Sequence, residues 1–121
     1  MVAFRYLVND VDEAIAFYTG TLGFELEQQM GPAFAIVLVD GTPLWLSGPA
    51  SSAARPMPDT EKPIPGGWNR IAVVVDDIEA EVTRLRAVGV HFRSEIVVGP
   101  GGSQIVLLDP SGNAVELFQP A

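Results

Sequence analysis

Cysteine is absent from the chain, which excludes disulfides, thiolate metal ligands and cysteine nucleophiles, and leaves the compartment open. Histidine occurs once, at His91, so no Ser-His-Asp set can be proposed. Positive charge is scarce: seven Lys and Arg stand against fifteen Asp and Glu, a formal net charge of −8. That field repels phosphate backbones and anionic lipid surfaces, so neither nucleic acid nor membrane is an expected partner. It can concentrate cationic ligands, although acidity also serves solubility alone. Long apolar runs are missing as well, and none reaches the length of a bilayer span. The N-terminal stretch meets Arg5 early and runs into Asp10 and Asp12, without the apolar core of a signal peptide. A soluble, cytoplasmic protein is expected.

What is present suits one folded domain: 121 residues, 48% hydrophobic and 18% charged. An internal repeat organises it. Residues 4–24 match residues 71–90 in their order of features: a β-rich run, an acidic stop, a helical pattern, then Gly. Asp10-Val11 matches Asp77-Ile78, and Leu22-Gly23-Phe24 matches Val88-Gly89-Val90. Downstream, the segment from Leu38 through Asp40-Gly41 to Leu46 matches Leu107-Leu108-Asp109 and, after a two-residue insertion, Gly112 to Leu117.

Each copy reads as strand, helix, then further strands. Asp10 with Glu13 three residues later has capping-box spacing, and Gly23 ends that helix. In the second copy Asp77 caps, Ile78, Val82 and Leu85 follow i, i+4, i+7 spacing, and Gly89 stops the helix. Residues 34–39 and 43–47 flank the hairpin signal Asp40-Gly41, and 103–108 and 114–118 flank Asp109-Pro110-Ser111-Gly112-Asn113. Between the copies, residues 48–67 hold five of the ten prolines and no apolar periodicity. They read as a long loop, either disordered or a lid over a ligand. The carboxylates Asp10, Asp12, Glu13, Asp76 and Asp77 stand at helix starts, where capping explains them. The Gly-Pro-Gly-Gly at 99–102 lacks the Lys of a phosphate loop and reads as a turn.

Val8-Asn9-Asp10-Val11 leading into Ala16-Phe17-Tyr18 and Leu22-Gly23-Phe24, then Val75-Asp76-Asp77-Ile78, then Asp109 to Leu117, in this order across a duplication, resemble the glyoxalase / bleomycin-resistance / extradiol-dioxygenase superfamily, also called vicinal-oxygen-chelate proteins. The resemblance covers nearly the whole chain. It implies an α+β fold in which two βαβββ modules form a curled mixed sheet around a cleft, commonly in a homodimer. A single domain over residues 1–121 is expected, with module one at about 1–48, the loop at 49–67 and module two at about 68–121.

Members that do chemistry hold a divalent metal with His or Glu from the first and last strands of each module. Carried onto this chain, the four positions fall on Ala3, Trp45, Arg70 and Glu116. Only Glu116 is a ligating side chain, so no metal, cofactor or catalytic residue is assigned. His91, just after the second helix, stands at none of the four positions and reads as a surface or half-buried polar residue.

Strand side chains alternate faces, so one assignment fixes its neighbours two away. If the ligand positions face the cleft, so do Ala3, Arg5, Leu7, Arg70, Ala72, Val74, Trp45, Ser47, Glu116 and Phe118, while Phe4, Tyr6, Val8, Ile71, Val73 and Val75 pack beneath the helices. The ligand-binding candidates are therefore Arg5, Trp45, Ser47, Arg70, Glu116 and Phe118, with Trp68 as a rim residue. Trp45 can equally be a core filler. Arg70 is expected to pair with Glu116 in place of the metal, the other reading being that it points to water or grips an anionic group. An aromatic wall with arginines suits a flat conjugated ligand.

Two function classes follow. One is a metal-free binding protein resembling bleomycin-resistance proteins, which sequesters an antibiotic or other bulky aromatic natural product; the small-molecule ligand is then aromatic or cationic. The alternative is a glyoxalase-like lyase, isomerase or dioxygenase with an atypical or metal-free active site, Glu116 serving as base.

Overall fold

A computed structural model describes residues 1–121 and divides them into two units, Met1–Gly66 and Gly67–Ala121, each built on its own sheet. The first unit contains β1 (Phe4–Leu7), α1 (Val11–Ile15), β2 (Glu25–Met30), β3 (Phe34–Val39) and β4 (Thr42–Ser47), with strand order β1-β4-β3-β2. The second contains β5 (Ile71–Val74), α2 (Ile78–Ala87), β6 (His91–Phe92), β7 (Val97–Gly99), β8 (Gly102–Leu108) and β9 (Ala114–Pro120). Its order is β5-β9-β8-β6, and β7 also pairs with β8. The fold is α+β, with two open mixed sheets.

The repeat extends to hydrogen-bond register. β1 lies parallel to β4 with Arg5 opposite Trp45, and β5 lies parallel to β9 with Ala72 opposite Glu116. Arg5 and Ala72 are equivalent positions in the two copies, as are Trp45 and Glu116, so each module returns its last strand to the same place beside its first. A parallel pair needs a crossover, and the helix of each module is part of it.

Local chemistry sets the helix starts. The Asp10 carboxylate accepts from the Glu13 N–H at 2.9 Å, and that of Asp77 from the Ala80 N–H at 3.0 Å. The first helix differs from the expected single run to Gly23. After Ile15 it widens into a π-helical segment, Ala16–Thr21, in which the Leu22 N–H donates to the Phe17 carbonyl at 3.1 Å. Thr19, Gly20 and Thr21 are weak helix formers, and the Thr19 hydroxyl donates back to the Ile15 carbonyl at 2.7 Å. In this segment Tyr18 is fully buried, its ring against those of Tyr6, Phe17 and Phe24.

Each sheet buries one face. Ala35, Val37, Leu44 and Leu46 join Val11, Ala14 and Tyr18 in the first core, and Ile105, Leu107, Val115 and Leu117 join Ile78, Val82 and Leu85 in the second. Phe4 departs from its expected place beneath a helix and is 48% exposed, because it opens the edge strand β1. The Asp-Pro-Ser-Gly-Asn segment is a polar turn anchored at its two buried ends, Asp109 and Asn113. Asp109 Oδ1 accepts from the Ser111 and Asn113 N–H groups, both at 2.9 Å, and Oδ2 from the Asn113 amide at 3.0 Å. These bonds satisfy the buried Asp109 and Asn113 side chains at the two ends of a tight connection between β8 and β9, whose tip at Pro110 is exposed.

Residues 49–67 contain no strand and one 3₁₀ turn, Ser52–Ala54, with Ala54 buried. Farther on, Met57 donates its N–H to Glu61 at 2.7 Å and accepts from Thr60 at 2.8 Å. No helix is long and apolar enough to cross a membrane. Leu107 is fully buried and Val98 is 77% exposed. Leu107→Ala should therefore lower unfolding free energy by about 2–5 kcal/mol in urea titration, and Val98→Ala by no more than about 0.5 kcal/mol.

Candidate functional site

Opposite the helix-covered core, each sheet presents a second face, and the sequence-predicted residues gather there. In the first unit Arg5 and Trp45 are register partners, and the Arg5 guanidinium lies over the indole at 4.9 Å from its centroid. Phe34 meets Trp45 edge to face, with centroids 6.0 Å apart. Ile36 is opposite Trp45 across the β3–β4 ladder, and both are half-buried. A cavity of ≈ 440 Å³ adjoins this face, with Trp45, Ile36, Leu38, Pro43, Val2 and Glu27 among its lining. Ser47 shares the parity of Trp45 but is only 1% exposed, and its Oγ has no hydrogen-bond partner. It lies in the interior strand β4, with Leu7 and Phe34 on either side.

In the second unit Arg70 and Glu116 meet. Arg70 Nε and Nη2 each lie 2.9 Å from Glu116 Oε1, and Nη1 donates to the Trp68 carbonyl at 3.2 Å. The two side chains are 26% and 13% exposed, enough burial for the charges to need each other. Trp68 is itself 64% exposed, and the Arg93 guanidinium stacks on it at 3.8 Å from the ring centroid. Phe118 shares the face of Glu116 and packs over Gly102: a Cβ at that glycine would touch both the Phe118 ring and the Gln119 carbonyl oxygen. His91, on β6, is exposed.

The structure thus brings together Arg5 with Trp45, and Trp68 with Arg70 and Glu116. Three residues at these faces were missed in the sequence. Phe34 stands at the start of a strand that reads as a plain buried run. Arg93 is set on Trp68 by the short strand β6, which has no signal of its own. Glu27 depends on a register shift in β2: Leu26 pairs with Val37 and Gln28 with Ile36, so Glu27 is an extra residue without a cross-strand partner.

Comparison with known proteins places this geometry. The family model for the Glyoxalase/Bleomycin resistance protein/Dioxygenase superfamily matches residues 1–117. The uncharacterized protein YwbC of Bacillus subtilis (strain 168) is 26% identical over 131 residues, covering 93% of this chain and 91% of its own length. Among solved structures, TnmS3, an antibiotic binding protein from Streptomyces sp. CB03234, is 27% identical with a TM-score of 0.71, covering 100% of this chain and 97% of its own. A lactoylglutathione lyase from Agrobacterium tumefaciens is 22% identical with a TM-score of 0.76, covering 98% and 92%, a likeness of fold.

The four residues onto which the resemblance carries the metal-ligand positions do not fit a metal. Ala3 and Trp45 offer no donor, Arg70 is a cation, and the carboxylate of Glu116 is held by Arg70. Nowhere do three or more His, Cys, Asp or Glu side chains gather in a way that could hold one.

The Arg70–Glu116 contact gives a direct energetic test. Arg70→Ala leaves a mostly buried carboxylate without its cation and should destabilise the chain more than Arg70→Ala combined with Glu116→Gln. A double-mutant cycle read by chemical denaturation should give a coupling on the order of 1–3 kcal/mol, below the full cost for a completely buried pair.

Proposed function

We propose that this chain, which belongs to the glyoxalase/bleomycin resistance protein/dioxygenase superfamily, is a binding protein that sequesters a bulky aromatic small molecule, such as an antibiotic, without a metal and without changing it. The observation that carries this reading is the Arg70–Glu116 pair. A guanidinium within 2.9 Å supplies the positive charge that a divalent cation would otherwise bring to the carboxylate. It cannot act as a Lewis acid on substrate oxygens, which is the work a catalytic metal does.

The remaining candidates supply contact area. Trp45, flanked by Arg5 and Phe34, offers a broad apolar wall beside a cavity whose volume lies in the range of small-molecule sites. Trp68 and Phe118 supply further aromatic surface in the second unit, and Arg5 and Arg70 border these surfaces as planar groups that stack as well as donate. Ser47 can contribute its unpartnered hydroxyl only where the strand around it opens. The antibiotic binding recorded for TnmS3 supports the ligand class.

The protein is also proposed to work as a homodimer. Phe4 on β1 and Val74 on β5 are 48% and 64% exposed on edge strands, apolar surface that a second copy can cover.

Isothermal calorimetry against a panel of planar polyketide, enediyne and bleomycin-type compounds should reveal a ligand whose affinity falls on the order of tenfold or more in Trp45→Ala. Heat signals absent across the panel would count against sequestration. Protein purified without chelator should contain no stoichiometric metal; one equivalent of Ni, Zn, Mn or Fe would turn the assignment to a metal-dependent lyase, isomerase or dioxygenase. Sedimentation equilibrium should return twice the 12.9 kDa chain mass, and a monomer alone would defeat the dimer.

A further inference from the structure

Glu27 is a charged side chain in the lining of the ≈ 440 Å³ cavity, together with Ile36, Leu38 and Trp45. Among the side chains of this lining, that of Glu27 alone is charged. Glu27 takes part in no ion pair and no side-chain hydrogen bond. Its place follows from the register shift in β2, an edge strand whose six residues are all exposed. Across the shift, Glu25 lies opposite Leu38 and Gln28 opposite Ile36, and both of those β3 residues line the cavity. The extra residue thus sets a carboxylate against an apolar, aromatic wall, in the manner of bulges that re-aim a side chain beside a site.

A carboxylate at the border of an apolar cavity gains when an organic cation settles against it and donates hydrogen bonds to it. The rest of the molecule favours the same sign of ligand. The net charge of −8 draws cations toward the surface, and the indole of Trp45 already accepts a guanidinium over its ring at 4.9 Å.

We infer that Glu27 is the specificity-determining residue of this cavity and that the ligand class is a planar aromatic cation, its amino or amidinium N–H groups donating to the Glu27 carboxylate while its rings lie along Trp45, Ile36 and Leu38. The inference rests on the binding function proposed above. It selects the cationic branch of the expected ligands over the neutral one.

Two probes of one shape test it: aminoacridine, a cation near neutral pH, and acridine, uncharged under slightly alkaline conditions. Calorimetry on the full chain should show aminoacridine bound more tightly than acridine. Glu27→Gln should weaken aminoacridine about fivefold and leave acridine within about twofold, the size expected of one partly solvated charge pair. Raising ionic strength should weaken the first probe and spare the second in the unmutated protein, a measurement that needs no variant to fold. Equal affinity for the two probes, or a Glu27→Gln effect shared by both, overturns the role of Glu27 and leaves aromatic binding standing. Failure of both probes and of the antibiotic panel to bind overturns the inference together with the function beneath it.

Discussion

Alternation of side chains along a strand is the constraint from which the rest follows. Each sheet has a helix on one face, and only the side chains at one parity can enter the core it closes: Leu44 and Leu46 in the first unit, Val115 and Leu117 in the second. The residues between them, Trp45 and Glu116, are forced to the opposite face whatever their chemistry. The apolar core therefore positions the candidate site indirectly. A register error of one residue would bury Glu116 under a helix and expose two leucines in exchange for Trp45, so the burial that holds the fold also holds the site.

Within that frame the two modules have diverged in charge while keeping their pairing. Equivalent positions carry Arg5 and Ala72, Ala3 and Arg70, Trp45 and Glu116. A guanidinium lies on the open side of both sheets, reached from strand positions two residues apart. In one case it rests on an indole and in the other on a carboxylate. The two contacts differ in strength and consequence. The stacked pair sets a cation on an aromatic face, whereas the ion pair joins two opposite charges that are both mostly buried.

Much of this was legible in the chain itself, for stated reasons. Helix caps declare themselves through side chains that bond their own backbone, so Asp10 and Asp77 could be read directly, and periodicity located Ile78, Val82 and Leu85 on a buried face. The pairing of Arg70 with Glu116 followed from strand parity together with the superfamily resemblance, since both positions were referred to one metal. Features set by weak or non-repeating preferences were hidden. The widening of the first helix depends on a balance among Thr19, Gly20 and Thr21, the exposure of Phe4 on its place at a sheet edge, and Glu27 on one unmatched residue in β2. The burial of Ser47 arises because β4 is an interior strand with neighbours on both sides, which alternation alone does not reveal.

The register shift in β2 has a consequence beyond Glu27. From Gln28 onward the strand is one step out of phase, so Gln28 and Met30 lie opposite Ile36 and Phe34, and Gln29 lies opposite Ala35, from where its amide reaches the Asp12 carboxylate at 2.7 Å. Losing the codon for Glu27 would close the bulge and keep these three pairings, because Glu27 is the residue without a partner: Gln28 and Met30 would stay opposite Ile36 and Phe34, and Gln29 opposite Ala35. The unmatched position is therefore the place in β2 where a lineage carrying this fold can gain or lose a residue without turning the rest of the strand over.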